Sequence, residues 1–113
     1  MFRIINQYLA NVNISTNAEI RYKMDIFLKD REDIEKYCIN ESFNKYIVDI
    51  RMKEYSVDNA DRMFRDFLTY TAFAYSAMHV RYNEGARVRY RYVTSKEDKT
   101  AVYMDVVISS SVG

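Results

Sequence analysis

The stretch RVRYRYVTSKEDKTAVYMDVVI, residues 87–108, decides the fold. Val88, Tyr90 and Tyr92 alternate with Arg87, Arg89 and Arg91, the period of a strand with one face buried and the other wet. Ser95 to Lys99 form a polar turn. Val102, Met104, Val106 and Ile108 then return on one side, with Ala101, Tyr103, Asp105 and Val107 on the other. The reading is a hairpin whose inner face is apolar and whose outer face is basic, and the rest of the chain is read outward from it.

Upstream, Gly85 is placed as the left-handed residue that closes a long helix. That helix runs from about Asn59 to Glu84, capped by Asp58, with Asp61 in its first turn facing the positive helix end. Its stripe is Ala60, Met63, Phe64, Phe67, Leu68, Thr71, Ala74, Tyr75, Met78 and Tyr82. At 1.5 Å per residue it would be about 39 Å long and overhang a five-stranded sheet. Before it, Tyr46, Val48, Ile50 and Met52 alternate with Ile47, Asp49, Arg51, Lys53 and Tyr55 in a strand. Asp30 caps a short helix over Arg31 to Glu41, with Ile34, Tyr37 and Cys38 as its buried stripe, and Asn40 to Asn44 breaks it.

Ala18, Ile20, Tyr22, Met24, Ile26 and Leu28 alternate with Glu19, Arg21, Lys23, Asp25, Phe27 and Lys29, which predicts another strand. Residues 2–14 fit both a helical stripe and, better, a strand, with Ser15-Thr16-Asn17 as the hairpin turn between the two. The expected order is β-β-α-β-α-β-β. Hairpins and one-sided alternation favour a mostly antiparallel sheet with one short and one long helix on its apolar face, an α+β two-layer sandwich.

Composition sets the bounds. A chain of 113 residues has room for one domain around one core. Three leucines stand against ten isoleucines, ten valines and eleven tyrosines, a balance that suits a pleated sheet. Cys38 has no second cysteine to pair with, and His79 is the only histidine, so neither a disulfide nor a zinc site is expected, and no cofactor. The free thiol points to a reducing compartment, most simply the cytoplasm. Met1-Phe2-Arg3 opens no apolar run suited to a signal peptide or a membrane span, so no membrane partner is expected.

The net charge of +1 conceals an uneven distribution. Expected to point away from the helices are Arg3, Arg21, Lys23, Lys29, Arg51, Lys53, Arg87, Arg89 and Arg91, against Glu19, Asp25, Asp49 and Asp105. That face would carry about +5 and the remainder about −4, provided the period-2 register holds. Phe27, Tyr55 and Tyr103 interleave rings among these charges. The binding candidates are therefore Arg87, Arg89, Arg91, Arg51, Lys53, Arg21, Lys23, Tyr55 and Tyr103. Three arginines on one strand repel one another unless an anion lies opposite, and Asp105 is the internal candidate.

Guanidinium groups mixed with rings suit single-stranded nucleic acid, by phosphate neutralisation and base stacking. They equally suit a protein interface, where Arg and Tyr are enriched anchors. A solvated sheet face kept soluble by cross-strand ion pairs is the plain structural alternative. Elsewhere structural roles suffice: His79 near a helix end, Cys38 in the core, Asp58 and Asp61 as caps. No phosphate loop, dinucleotide fingerprint, Ca²⁺ loop or nucleophile elbow is present in the sequence.

No family motif can be quoted. In type, a short, motif-free, Tyr- and Asn-rich single domain, the chain resembles accessory proteins of phages and mobile elements, including anti-CRISPR inhibitors. That resemblance implies a non-catalytic inhibitory protein that masks a host protein or nucleoprotein surface. The alternatives are a nucleic-acid-binding module using the basic sheet face, and a small enzyme or ligand binder with an Arg/Tyr pocket. An overhanging helix exposing Tyr70 and Phe73 would also suit a homodimer.

Overall fold

The computed structural model describes residues 20–71, 76–96 and 100–111. Its elements are helix α1 (20–29), strands β1 (Ile34–Ser42) and β2 (Lys45–Met52), and helix α2 (Val57–Thr71). Strands β3 (Ser76–Glu84), β4 (Arg87–Lys96) and β5 (Thr100–Ser110) follow. The strands form one sheet in the order β1-β2-β5-β4-β3. Every neighbouring pair is antiparallel except β2 and β5, which run parallel. The α+β class, the mostly antiparallel five-stranded sheet and the two helices are as expected.

β2, β4 and β5 keep the alternation read from the sequence. Tyr46, Val48, Ile50 and Met52, then Val88, Tyr90 and Tyr92, then Val102, Met104, Val106 and Ile108 are all buried on one face. Both helices pack on that face. Ile20, Met24, Phe27 and Leu28 of α1 join Ala60, Met63, Phe64 and Phe67 of α2 in a single core with these strand residues. Phe27 meets Phe67 edge-on at 5.7 Å, and Phe64 lies flat on Tyr90 at 4.0 Å. Arg31, between α1 and β1, fastens the layers by pairing with Asp33 at 2.8 Å and with Asp66 of α2 at 3.1 Å.

Three element assignments change. The expected strand over 18–28 is helix α1 from residue 20 onward. Ile20, Met24, Phe27 and Leu28 stand at i, i+4, i+7 and i+8, and their burial beside an exposed Tyr22 is a helical pattern. The expected helix over 31–41 is strand β1, turned back onto β2 through Phe43 and Asn44, where Asn44 takes a left-handed φ of 55°. A register shift between Ile34 and Lys36 disguised its alternation.

The expected long helix ends at Thr71, and its second half includes β3. Gly85, at φ 61°, sits in the two-residue loop joining β3 to β4 and closes no helix. The overhang on which a homodimer was expected is thereby removed, although Tyr70 is exposed. His79 belongs to β3, opposite Tyr92. Cys38 is exposed on β1, outside the core. Ser56, whose Oγ accepts the backbone N–H of Asn59 at 3.0 Å, caps α2 in place of Asp58. The expectations for residues 2–17, with Arg3, Glu19, Phe73, Ala74, Tyr75 and the tip of the β4–β5 turn, lie outside the described residues. Among the described residues, no helix is long and apolar enough to cross a membrane.

Candidate binding face

With both helices on one side, strand register fixes what the other side presents. Ile47 pairs with Asp105, Asp105 with Arg91, and Arg91 with Val80, which lays one row across β2, β5, β4 and β3. The next row is Asp49, Val107, Arg89 and Tyr82, and the one beyond it Arg51, Ser109, Arg87 and Glu84. At the opposite end Lys45, Tyr103 and Val93 stand abreast. Cys38 and Lys36 extend the rows onto β1, beside Asp49 and Arg51.

Five of the nine expected binding residues are therefore brought together here: Arg51, Arg87, Arg89, Arg91 and Tyr103. The other four are not. Arg21 and Lys23 ride on α1, where Arg21 pairs with Glu41 at 3.1 Å, because their segment is helical. Lys53 lies past the end of β2. Tyr55 packs against the core, with its hydroxyl buried and unbonded. Phe27, grouped with the basic face from its alternation, is buried in the core. Of the charged set expected on the face, Arg51, Arg87, Arg89, Arg91, Asp49 and Asp105 lie on it. Lys36, Lys45 and Glu84, not expected there, join them, so that among the described residues the face carries an excess of three positive charges in place of about five.

Each carboxylate is engaged. Asp105 meets Arg91 Nε at 3.2 Å and Lys45 Nζ at 4.0 Å. Glu84 lies 3.1 Å from Arg87 Nε and 3.4 Å from Arg89 Nη2, close enough for ion pairs but without hydrogen-bond alignment, and Arg89 Nε is buried and unbonded. Asp49 holds Arg51 at 3.3 Å. The repulsion among the three β4 arginines is thus relieved partly by Asp105, as expected, and partly by Glu84. Sequence reading missed Glu84 because it was assigned to a helix end. The turn signal N-E-G-A-R between the alternating pairs Val80/Tyr82 and Val88/Tyr90 would have found it.

Height matters as much as charge. Asp105 is 13% exposed, whereas Arg91 and Lys45 are 52% and 47% exposed. The carboxylate lies low on the sheet and its two cations stand above it, so an incoming molecule meets the positive groups first. Between them opens a depression of about 530 Å³, lined by Lys45, Val80, Arg91, Val93, Tyr103 and Asp105. Tyr103, Ile47, Val80 and Tyr82 are exposed on this face. Asn44, in the same turn as the 93% exposed Phe43, accepts the Tyr103 backbone N–H at 2.8 Å, which places that ring at the same end of the sheet. Ile47 stands on the outward side, as its alternation with Tyr46 and Val48 predicts, whereas sequence reading missed Phe43, Val80 and Tyr82 as surface groups. Val80 and Tyr82 were hidden in the long helix, and nothing in a hairpin turn advertises an unpacked ring.

The chemistry on offer is electrostatic and apolar contact. Among the described residues no three His, Cys, Asp or Glu side chains gather as a metal site. No family model, no curated protein and no solved structure matches the chain.

Proposed function

We propose that this protein is a non-catalytic binding protein that masks a surface of a larger host protein or nucleoprotein complex through the outer face of its sheet. One observation carries the reading. A face covered by neither helix combines exposed Tyr103, Ile47, Val80 and Tyr82 with two cations, Lys45 and Arg91, raised above the Asp105 carboxylate that orients them. Ion pairs within the face hold the guanidinium groups in place before contact, which lowers the ordering cost of binding. Tyr and Arg are the side chains that anchor protein interfaces best. Action in the cytoplasm fits the exposed free thiol of Cys38. Small accessory proteins of phages and mobile elements work in this manner, and the chain's length and lack of motifs match that type.

The test is capture from a host extract by immobilised protein, with two charge-reversed variants. Lys45, Arg87, Arg89 and Arg91 changed together to Glu should abolish capture. Arg62→Glu with Arg65→Glu, on the helical side, should leave it intact. The opposite pattern would refute the reading, and nuclease treatment of the extract separates nucleic-acid from protein partners.

A further inference from the structure

The depression at the Tyr103 end of the outer face has two halves that ask for different things. Its rim is cationic: Lys45 and Arg91 stand exposed on either side of Asp105. Its apolar lining is Val80, Val93 and the Tyr103 ring. An occupant must supply carboxylate-like charge at the edges and an apolar group between them. Single-stranded nucleic acid meets the first demand but fits the second poorly. A base needs an open aromatic face, and of the two exposed rings that the described strands carry on this face Tyr82 already lies under the Arg91 guanidinium, 5.6 Å from its centre. Phe43, in the β1–β2 turn at the same end, lies outside the lining, so within the depression the one open ring, Tyr103, stands among aliphatic side chains that cannot stack. Leu, Ile, Met or Phe would bury against those same side chains.

We infer that this depression takes an acidic protein segment, seating an aliphatic or aromatic side chain on Val80, Val93 and Tyr103 with carboxylates reaching Lys45 and Arg91. The inference rests on the proposal that the outer face is the binding surface, and it names what binds there.

The experiment uses the full chain, labelled with ¹⁵N and titrated at millimolar concentrations with each of three probes. The first is an end-blocked peptide with leucine between pairs of glutamates, the second its glutamine counterpart, the third a fifteen-nucleotide oligothymidylate. The acidic peptide should move the backbone amides of Lys45, Val80, Arg91, Val93 and Tyr103, and the glutamine peptide should bind about tenfold more weakly. Arg91→Gln should cost about threefold to tenfold in affinity. Tyr103→Ser reads the apolar half without disturbing any ion pair and should cost a similar factor. Asp105→Asn should tighten binding of the acidic peptide, because removing the negative charge beneath the site outweighs the looser placing of its two cations.

Equal binding of the two peptides, or no movement of these amides by the acidic one, overturns the inference. Oligothymidylate moving the same amides while the acidic peptide does not also overturns it, yet leaves the outer face as the binding surface. Acidic-peptide shifts confined to α1 and α2 overturn both.

Discussion

Tyr90 donates its hydroxyl to Asp61, joining the middle of β4 to the second turn of α2 beneath the stacked ring of Phe64. Arg81 of β3 reaches the other oxygen of the same carboxylate at 2.6 Å. One acidic side chain therefore ties the helix to two adjacent strands. Asp61→Ala would strand the buried Tyr90 hydroxyl without an acceptor and should cost about 2 kcal/mol. Urea denaturation checks this. Tyr90→Phe in the Asp61→Ala background should recover much of the loss, because the stranded hydroxyl is then gone.

Stability should fall at alkaline pH. Burial, reinforced by the neighbouring Glu41 charge, pushes the Tyr46 hydroxyl up to about 12. Burial and the bond to Asp61 push Tyr90 higher still, and burial alone raises Tyr92. Below pH 10, the ordinary tyrosine value, all three are neutral in both folded and unfolded chains, and their contribution is fully present. Above it the unfolded chain ionises and the folded one resists, so the contribution is lost as pH rises through the folded values. In an alkaline titration, phenolate absorbance from these three should appear together with loss of the circular dichroism signal. Their ionisation in a chain that keeps its fold would contradict the burial argument.

Tyr92 offers a contrast with Tyr90. Its ring packs edge-on against Phe64 at 5.6 Å, but its buried hydroxyl has no hydrogen-bond partner. An unsatisfied hydroxyl costs desolvation and returns nothing. Tyr92→Phe should therefore be neutral or stabilising by up to about 1 kcal/mol, whereas Tyr90→Phe in the wild-type chain should destabilise. Thermal melts of the two variants, run side by side, decide the matter. A clear loss for Tyr92→Phe would reveal a partner for that hydroxyl.

Legibility in the sequence followed the local signal. β2, β4 and β5 lie in the middle of the sheet. β2 and β4 are buried on one face only, and although Val107 and Ser109 of β5 are buried on the other, the apolar series of all three strands survives intact. The segments read wrongly satisfy both periods at once. In 18–28, Ile20 and Met24 belong to an alternating series and equally to an i, i+4 pair, and only packing against Phe67 selects the helix. In 34–42 and 76–84 the strands are sheet edges, whose pattern is interrupted by register shifts and whose state depends on a partner strand. The site inherited these errors. Arg87, Arg89, Arg91, Arg51 and Tyr103 were found because they sit on the legible strands. Lys45 heads such a strand but fell outside the alternating set, and Glu84 and Tyr82 sit on an edge.

Glu84 yields the last prediction. It faces both Arg87 and Arg89 from the neighbouring strand, at 3.1 and 3.4 Å, and so masks two of the three β4 arginines. Glu84→Gln removes the mask while keeping the shape. Because these pairs are partly exposed and lack hydrogen-bond alignment, the stability cost should be small, below about 1 kcal/mol. The surface consequence should be larger, since the two freed guanidinium groups add to those at Arg91 and Lys45. On a heparin column, used as a generic polyanion, Glu84→Gln should elute at higher salt than the wild-type chain. Arg87→Gln should elute earlier. Glu84→Gln eluting with the wild type would mean that the arginines are already available despite the carboxylate beside them, and that Glu84 only keeps the edge strand in register.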